Sequence, residues 1–136
     1  MMTNILIVED EFLIALEMEE VVRDLGHVCV GVADNREAAL ALASDAVDVA
    51  LIDVNLADGA TGPMIGATLA NDYGIHVVFI TANPSQLGEG VEGTLGAVEK
   101  PVDLEALSEV LDFVIALDRG HSKPSLPERL RLFRMV

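Results

Sequence analysis

Three short runs without a polar residue, ILIV at 5–8, VALI at 49–52 and VVFI at 77–80, constrain this chain more than any other feature. Each is rich in β-branched side chains and apolar at every position, so both faces of the strand it forms must be covered. A strand on a surface would alternate apolar with polar residues, and these do not. Residues 28–32 and 95–98 read as weaker strands, the latter interrupted by Gly96 and suited to a sheet edge.

Helical patterns fill the intervals. Between 11 and 25, Ile14, Met18, Val21 and Leu25 form a stripe that Gly26 terminates. Asp34 and Glu37 have the offset of a capping box ahead of an Ala/Leu run to Ala43. Pro63 suits the first turn of a helix reaching Tyr73. Asp103 is placed to cap a last helix with Leu104, Leu107, Leu111 and Val114 on one face. Residues 84–93 are the weakest helical segment, because Gly88, Gly90 and Gly93 disfavour it. The order is five repeats of strand then helix. It predicts a doubly wound α/β fold: a five-stranded parallel sheet in a three-layer, flavodoxin-like sandwich, with functional groups at the carboxyl ends of the strands.

Charge narrows the function. The 136 residues hold 23 Asp and Glu against 8 Lys and Arg, a formal net charge of -15. Such acidity disfavours nucleic acid and anionic membranes as partners, since both are held mainly by Lys and Arg. The 51% hydrophobic content argues for a packed core rather than disorder. Residues 1–118 carry -19 and residues 119–136 carry +4. The expected organisation is one domain over 1–120 and a basic tail over 121–136 without an effector domain. RLRLFR in that tail fits an alternating strand as well as a helical turn. It could dock on an acidic partner, on the chain's own acidic body, or on a second copy to make a homodimer, or it could be a frayed, solvated end. A single cysteine, no charged leader and no apolar run near the ~18 residues of a membrane span make the cytoplasm the expected location.

A parallel sheet brings the residues that follow its strands to one rim: Glu9 and Asp10, Asp53, Thr81, and Lys100 with Pro101. Three carboxylates crowded there stay ionised only if a cation compensates them. Carboxylate oxygens with water are the hard ligands that Mg²⁺ prefers, and Mg²⁺ often joins carboxylates to a phosphoryl group. Lys100 offers a positive charge and Thr81 a hydroxyl toward such a group. These are the parts of a phosphoryl-transfer site with a carboxylate nucleophile. No Gly-rich phosphate loop follows the first strand, where VEDEF stands, so nucleotide binding of the usual kind is disfavoured. His27, His76 and His121 have no metal-ligand spacing with one another or with Cys29.

In the ordered set ILIVEDE, LIDVNL, FITAN and EKP, the chain resembles the receiver domains of two-component response regulators over residues 4–118. The resemblance implies that Asp53 is the phospho-acceptor for a histidine kinase or phosphotransfer protein. It also implies that Asp10, Asp53 and the backbone carbonyl of Asn55 bind Mg²⁺, with Glu9 acting largely through metal-bound water. Thr81 and Lys100 would hold phosphoryl oxygens, and the Lys100–Pro101 bond would be cis. The chain would then be a signalling switch rather than an enzyme, with output by binding a downstream protein. Three residues before Lys100, where the family usually has an aromatic, this chain has Ala97, so rearrangement after the fourth strand becomes the expected route of output. Asn55 could either tune phosphate lifetime or brace its own loop. Two other classes remain: a small Mg²⁺-dependent phosphohydrolase, disfavoured because Val54-Asn55 leaves no second Asp as acid/base, and a phosphorylation-independent interaction module.

Overall fold

Burial on both faces puts β1 (Asn4–Val8), β3 (Val49–Ile52) and β4 (His76–Thr81) side by side in the interior of one sheet, as their sequences require. The computed structural model describes residues 2–121 and 124–133. Strand order is β2-β1-β3-β4-β5-β6, with β2 at Val28–Ala33, β5 at Gly96–Glu99 and β6 at Leu130–Leu132. All pairings are parallel except that of β5 with β6.

Alternation along the strands divides the core in two. Ile5, Ile7, Val49, Leu51, Val78, Ile80 and Val98 meet α1 (Phe12–Asp24) and α4 (Leu104–Asp118) in one cluster. Leu6, Val8, Ala50, Ile52, Val77, Phe79 and Ala97 meet α2 (Arg36–Leu42) and α3 (Gly62–Tyr73) in the other. Asp103 caps α4 as expected, accepting from the Ala106 N–H at 2.7 Å. Leu107, Leu111 and Val114 are buried on one face of that helix, while Leu104 is exposed.

Several expectations need correction. The sheet has six strands, not five, because the tail adds an antiparallel strand to β5. For the same reason β5 is not an edge. The fifth helix is absent from the described residues: a short 3-10 helix at Pro84–Leu87 replaces it, since Gly88, Gly90 and Gly93 all take positive φ. The cap of α2 is Asn35, whose side chain accepts from the Ala38 N–H at 2.9 Å, and not Asp34. α1 starts at Phe12 rather than at residue 11, and Glu11, its N-cap residue, makes no side-chain cap.

Among its described residues, the tail settles on its own body through strand pairing and not ion pairs. Leu130 enters the core beside α4, and Gly96 is what lets β6 come so near, because a Cβ there would strike the Arg131 carbonyl. Half-buried Phe133 extends the ladder through its N–H to the Leu95 carbonyl at 3.0 Å and tilts against Phe79, centroids 6.2 Å apart. Lys123 and Arg134 lie outside the described residues. A fully buried Phe→Ala change costs about 3–5 kcal/mol; at this half-buried site we expect Phe133→Ala to cost about 2 kcal/mol. Urea titration checks this, and an unchanged midpoint would mean the ring adds nothing to the β6 pairing.

Candidate functional site

The site lies where parallel strands end. Asp53 follows β3, and its N–H donates to the Val8 carbonyl at 2.8 Å, locking it beside the end of β1. Glu9 follows β1 and is held by Glu9 N–H to the Ala33 carbonyl at 2.9 Å. Carboxylate oxygens of Glu9, Asp10 and Asp53 all come within 4.8 Å of one another. Glu9 and Asp53 are buried, while Asp10 is exposed.

Lys100 completes the group from the end of β5. Its Nζ stands 2.7 Å from Glu9 Oε1 and donates to Asp53 Oδ2 at 2.9 Å. Burial opposes the Lys100 charge, but the bonds to Glu9 and Asp53 outweigh it and raise the pKa overall. Burial also raises the Glu9 carboxyl, to about 7; the Lys100 bond works against this rise and the Asp53 charge adds to it. The Glu9 side chain is fully buried, so the Lys100 ammonium 2.7 Å from its Oε1 is the charge that compensates it.

A divalent cation fits this donor set. Three carboxylates face one ammonium, an excess of two negative charges if all are ionised, and every candidate donor is a hard oxygen. Among the described residues, no other group of three His, Cys, Asp or Glu side chains is assembled in this way.

The remaining expected residues are present with particular partners. Thr81 ends β4 fully buried, and its hydroxyl oxygen accepts from the Asn83 N–H at 3.2 Å. The Lys100 N–H donates to the Thr81 carbonyl at 2.9 Å, so the two residues move on one framework. The Lys100–Pro101 bond is cis. Asn55 makes a reciprocal amide pair with Gln86 of the 3-10 helix, at 2.9 and 3.3 Å, a partner neither expectation for its side chain had foreseen.

Two contributors went unread in the sequence. Gly62, the first residue of α3, packs directly on the backbone of Asp53 and Val54. Arg129, in the tail, donates to the Glu99 and Pro101 carbonyls on either side of Lys100, at 2.8 and 2.9 Å. Gly-Pro at a helix start gave no sign of the first. The alternation of Arg129 and Arg131 with Leu residues could have hinted at the second.

Known proteins share this fold. The family profile of the response regulator receiver domain matches residues 5–112. The phyllosphere-induced regulator PhyR of Methylorubrum extorquens is 42% identical over 92 residues, which is 66% of this chain and 34% of that protein. The crystal structure of PhyR from Brucella abortus is 32% identical with a TM-score of 0.75, covering 88% of this chain and 50% of that one. The solution structure of the Erythrobacter litoralis PhyR REC domain is 30% identical with a TM-score of 0.71, covering 92% and 96%. The chain thus spans only a third to a half of the longer regulators it matches.

Proposed function

The chain belongs to the response regulator receiver domain family, and from that premise we propose that it is a switch in which Asp53 accepts a phosphoryl group from a histidine kinase or phosphotransfer protein. The observation that carries this reading is the convergence of Glu9, Asp10, Asp53 and Lys100 on one rim, with Lys100 Nζ 2.9 Å from Asp53 Oδ2.

An Asp53 oxygen attacks phosphorus, forming a P–O bond as the bond to the donor's histidine nitrogen breaks and its electron pair leaves with the imidazole. The backbone bond from Asp53 to the end of β1 holds the carboxylate in line, which lowers the entropic cost of attack. Lys100 releases its carboxylate partners and meets the phosphoryl oxygens, where its fixed charge counts for most. Mg²⁺, held by Glu9, Asp10, Asp53 and the Asn55 carbonyl, would neutralise the remaining phosphoryl charge. Thr81 turns its hydroxyl from Asn83 toward the new group. The product carries about -1.5 to -2 charge at Asp53, and re-packing near β4 and β5 presents the changed surface to a downstream protein.

Incubation with Mg²⁺ and acetyl phosphate tests the reading. The wild type should take up an acid-stable, base-labile phosphoryl group, and Asp53→Asn should take up none. A wild type that stays unlabelled would overturn the proposal, and rapid turnover of many phosphoesters would favour a hydrolase instead.

A further inference from the structure

The tail reaches the reaction rim through one side chain. β6 pairs with β5 only from Gly96 to Val98, so the ladder stops just short of the residues that present Lys100. Beyond that point the Arg129 side chain takes over: its Nη2 donates to both the Glu99 carbonyl, at 2.8 Å, and the Pro101 carbonyl, at 2.9 Å. The backbone is thereby gripped immediately before and immediately after Lys100. A third hold comes from the Thr81 carbonyl on the Lys100 N–H at 2.9 Å.

We propose that Arg129 is a positioning residue for Lys100, so that the carboxy-terminal strand sets how well the site accepts a phosphoryl group. This rests on the reading of Asp53 as phospho-acceptor and adds to it a control from outside the strand-end set. The lysine ammonium sits at the end of a four-carbon stem, and small rotations of its backbone are magnified at Nζ. Pinning both flanking carbonyls removes those rotations. The guanidinium suits the task because it stays charged at any working pH and carries donors in a planar fork. Arg129 is itself exposed and touches none of the reacting groups, so its effect is carried entirely through Lys100.

The same contact works in both directions. When Lys100 leaves Glu9 and Asp53 for phosphoryl oxygens, the Glu99 to Pro101 backbone that Arg129 grips is pulled with it. A load on β6 therefore alters phosphoryl uptake, and uptake alters the hold on β6, since coupling between two sites is reciprocal.

A double-mutant cycle decides the matter. Initial rates of labelling by acetyl phosphate in saturating Mg²⁺ are measured for wild type, Arg129→Ala, Arg129→Lys, Lys100→Met and the Arg129→Ala/Lys100→Met pair. Saturating Mg²⁺ is used because a cation at the carboxylates should offset the lost Lys100 charge in the Lys100→Met chains. Arg129→Ala should slow labelling about tenfold, within the loss that an ångström of misplacement produces. Arg129→Lys, which keeps a cationic donor, should recover most of it. In the Lys100→Met background the Arg129→Ala change should make no further difference, an outcome that a merely structural role would not give. A full-rate Arg129→Ala protein, or an equal loss with and without Lys100, would overturn the assignment. A wild type that takes up no label would instead overturn the phospho-acceptor reading on which it rests.

Discussion

Lys100→Met is expected to destabilise the metal-free protein by about 3 kcal/mol, roughly 10 °C in Tm, and to slow phosphoryl uptake by about 10²-fold or more. The physical reason is the company Lys100 keeps. Its side chain is 11% exposed, and the two carboxylates it pairs with are 0% and 8% exposed, at Glu9 and Asp53. Removing one partner of a buried ion pair typically costs about 3–5 kcal/mol because the other charge is left without compensation. The lower end applies here. Glu9, with its pKa already raised to about 7, takes up a proton readily and sheds its charge. Thermal unfolding with and without Mg²⁺ checks this, because a cation bound only by the folded state should restore much of the loss. A variant as stable as wild type in chelator would mean that Lys100 is not what compensates these carboxylates.

Gly62→Ala should cost about 3 kcal/mol, the upper part of the usual range for overpacking, and should damage the site as well. Gly62 donates its N–H to the Val54 carbonyl at 3.0 Å, and a Cβ built on it would collide with the Asp53 carbonyl oxygen and lie 2.6 Å from the Val54 Cα. These are backbone atoms, with no flexible side-chain end to yield. The helix must move off the strand end, or the strand end must move. Either response displaces the residue whose carboxylate is to attack, so labelling should fall further than the folded fraction does. Urea titration together with acetyl phosphate labelling per folded molecule gives both numbers. Wild-type values in both would show that the α3 start moves without disturbing Asp53.

The legible parts of the fold were those encoded locally. ILIV, VALI and VVFI are apolar at both alternating positions, and they became β1, β3 and β4, three of the four interior strands. Asp103 and Pro63 marked helix starts because each answers a local need, a free N–H to cap or a fixed φ. Misreadings were of two kinds. Asp34 and Asn35 are neighbours of equal capping power, and only the chain's path into α2 selects Asn35. Gly96 suggested an edge strand, whereas its missing side chain serves the close approach of β6.

What the sequence determined alone was a parallel sheet with both faces covered, and with it the rim on which Glu9, Asp10, Asp53, Thr81 and Lys100 stand. That much follows from strand periodicity and connectivity, which fix where strand ends lie without any knowledge of distances. Only the tertiary structure decided how those residues engage. The Lys100 bond to Asp53 spans 47 residues of chain, and the Arg129 grip on Glu99 spans 30. RLRLFR fitted a strand as well as a helical turn and named no partner; the open side of β5 that decides for a strand exists only once the sheet has formed. A basic tail on an acidic chain suggested docking by charge, yet Arg129 donates to the Glu99 and Pro101 carbonyls at the end of β5 and Arg131 to the Gly88 carbonyl after the 3-10 helix, because peptide groups are what lie within reach of a strand added to a sheet's side.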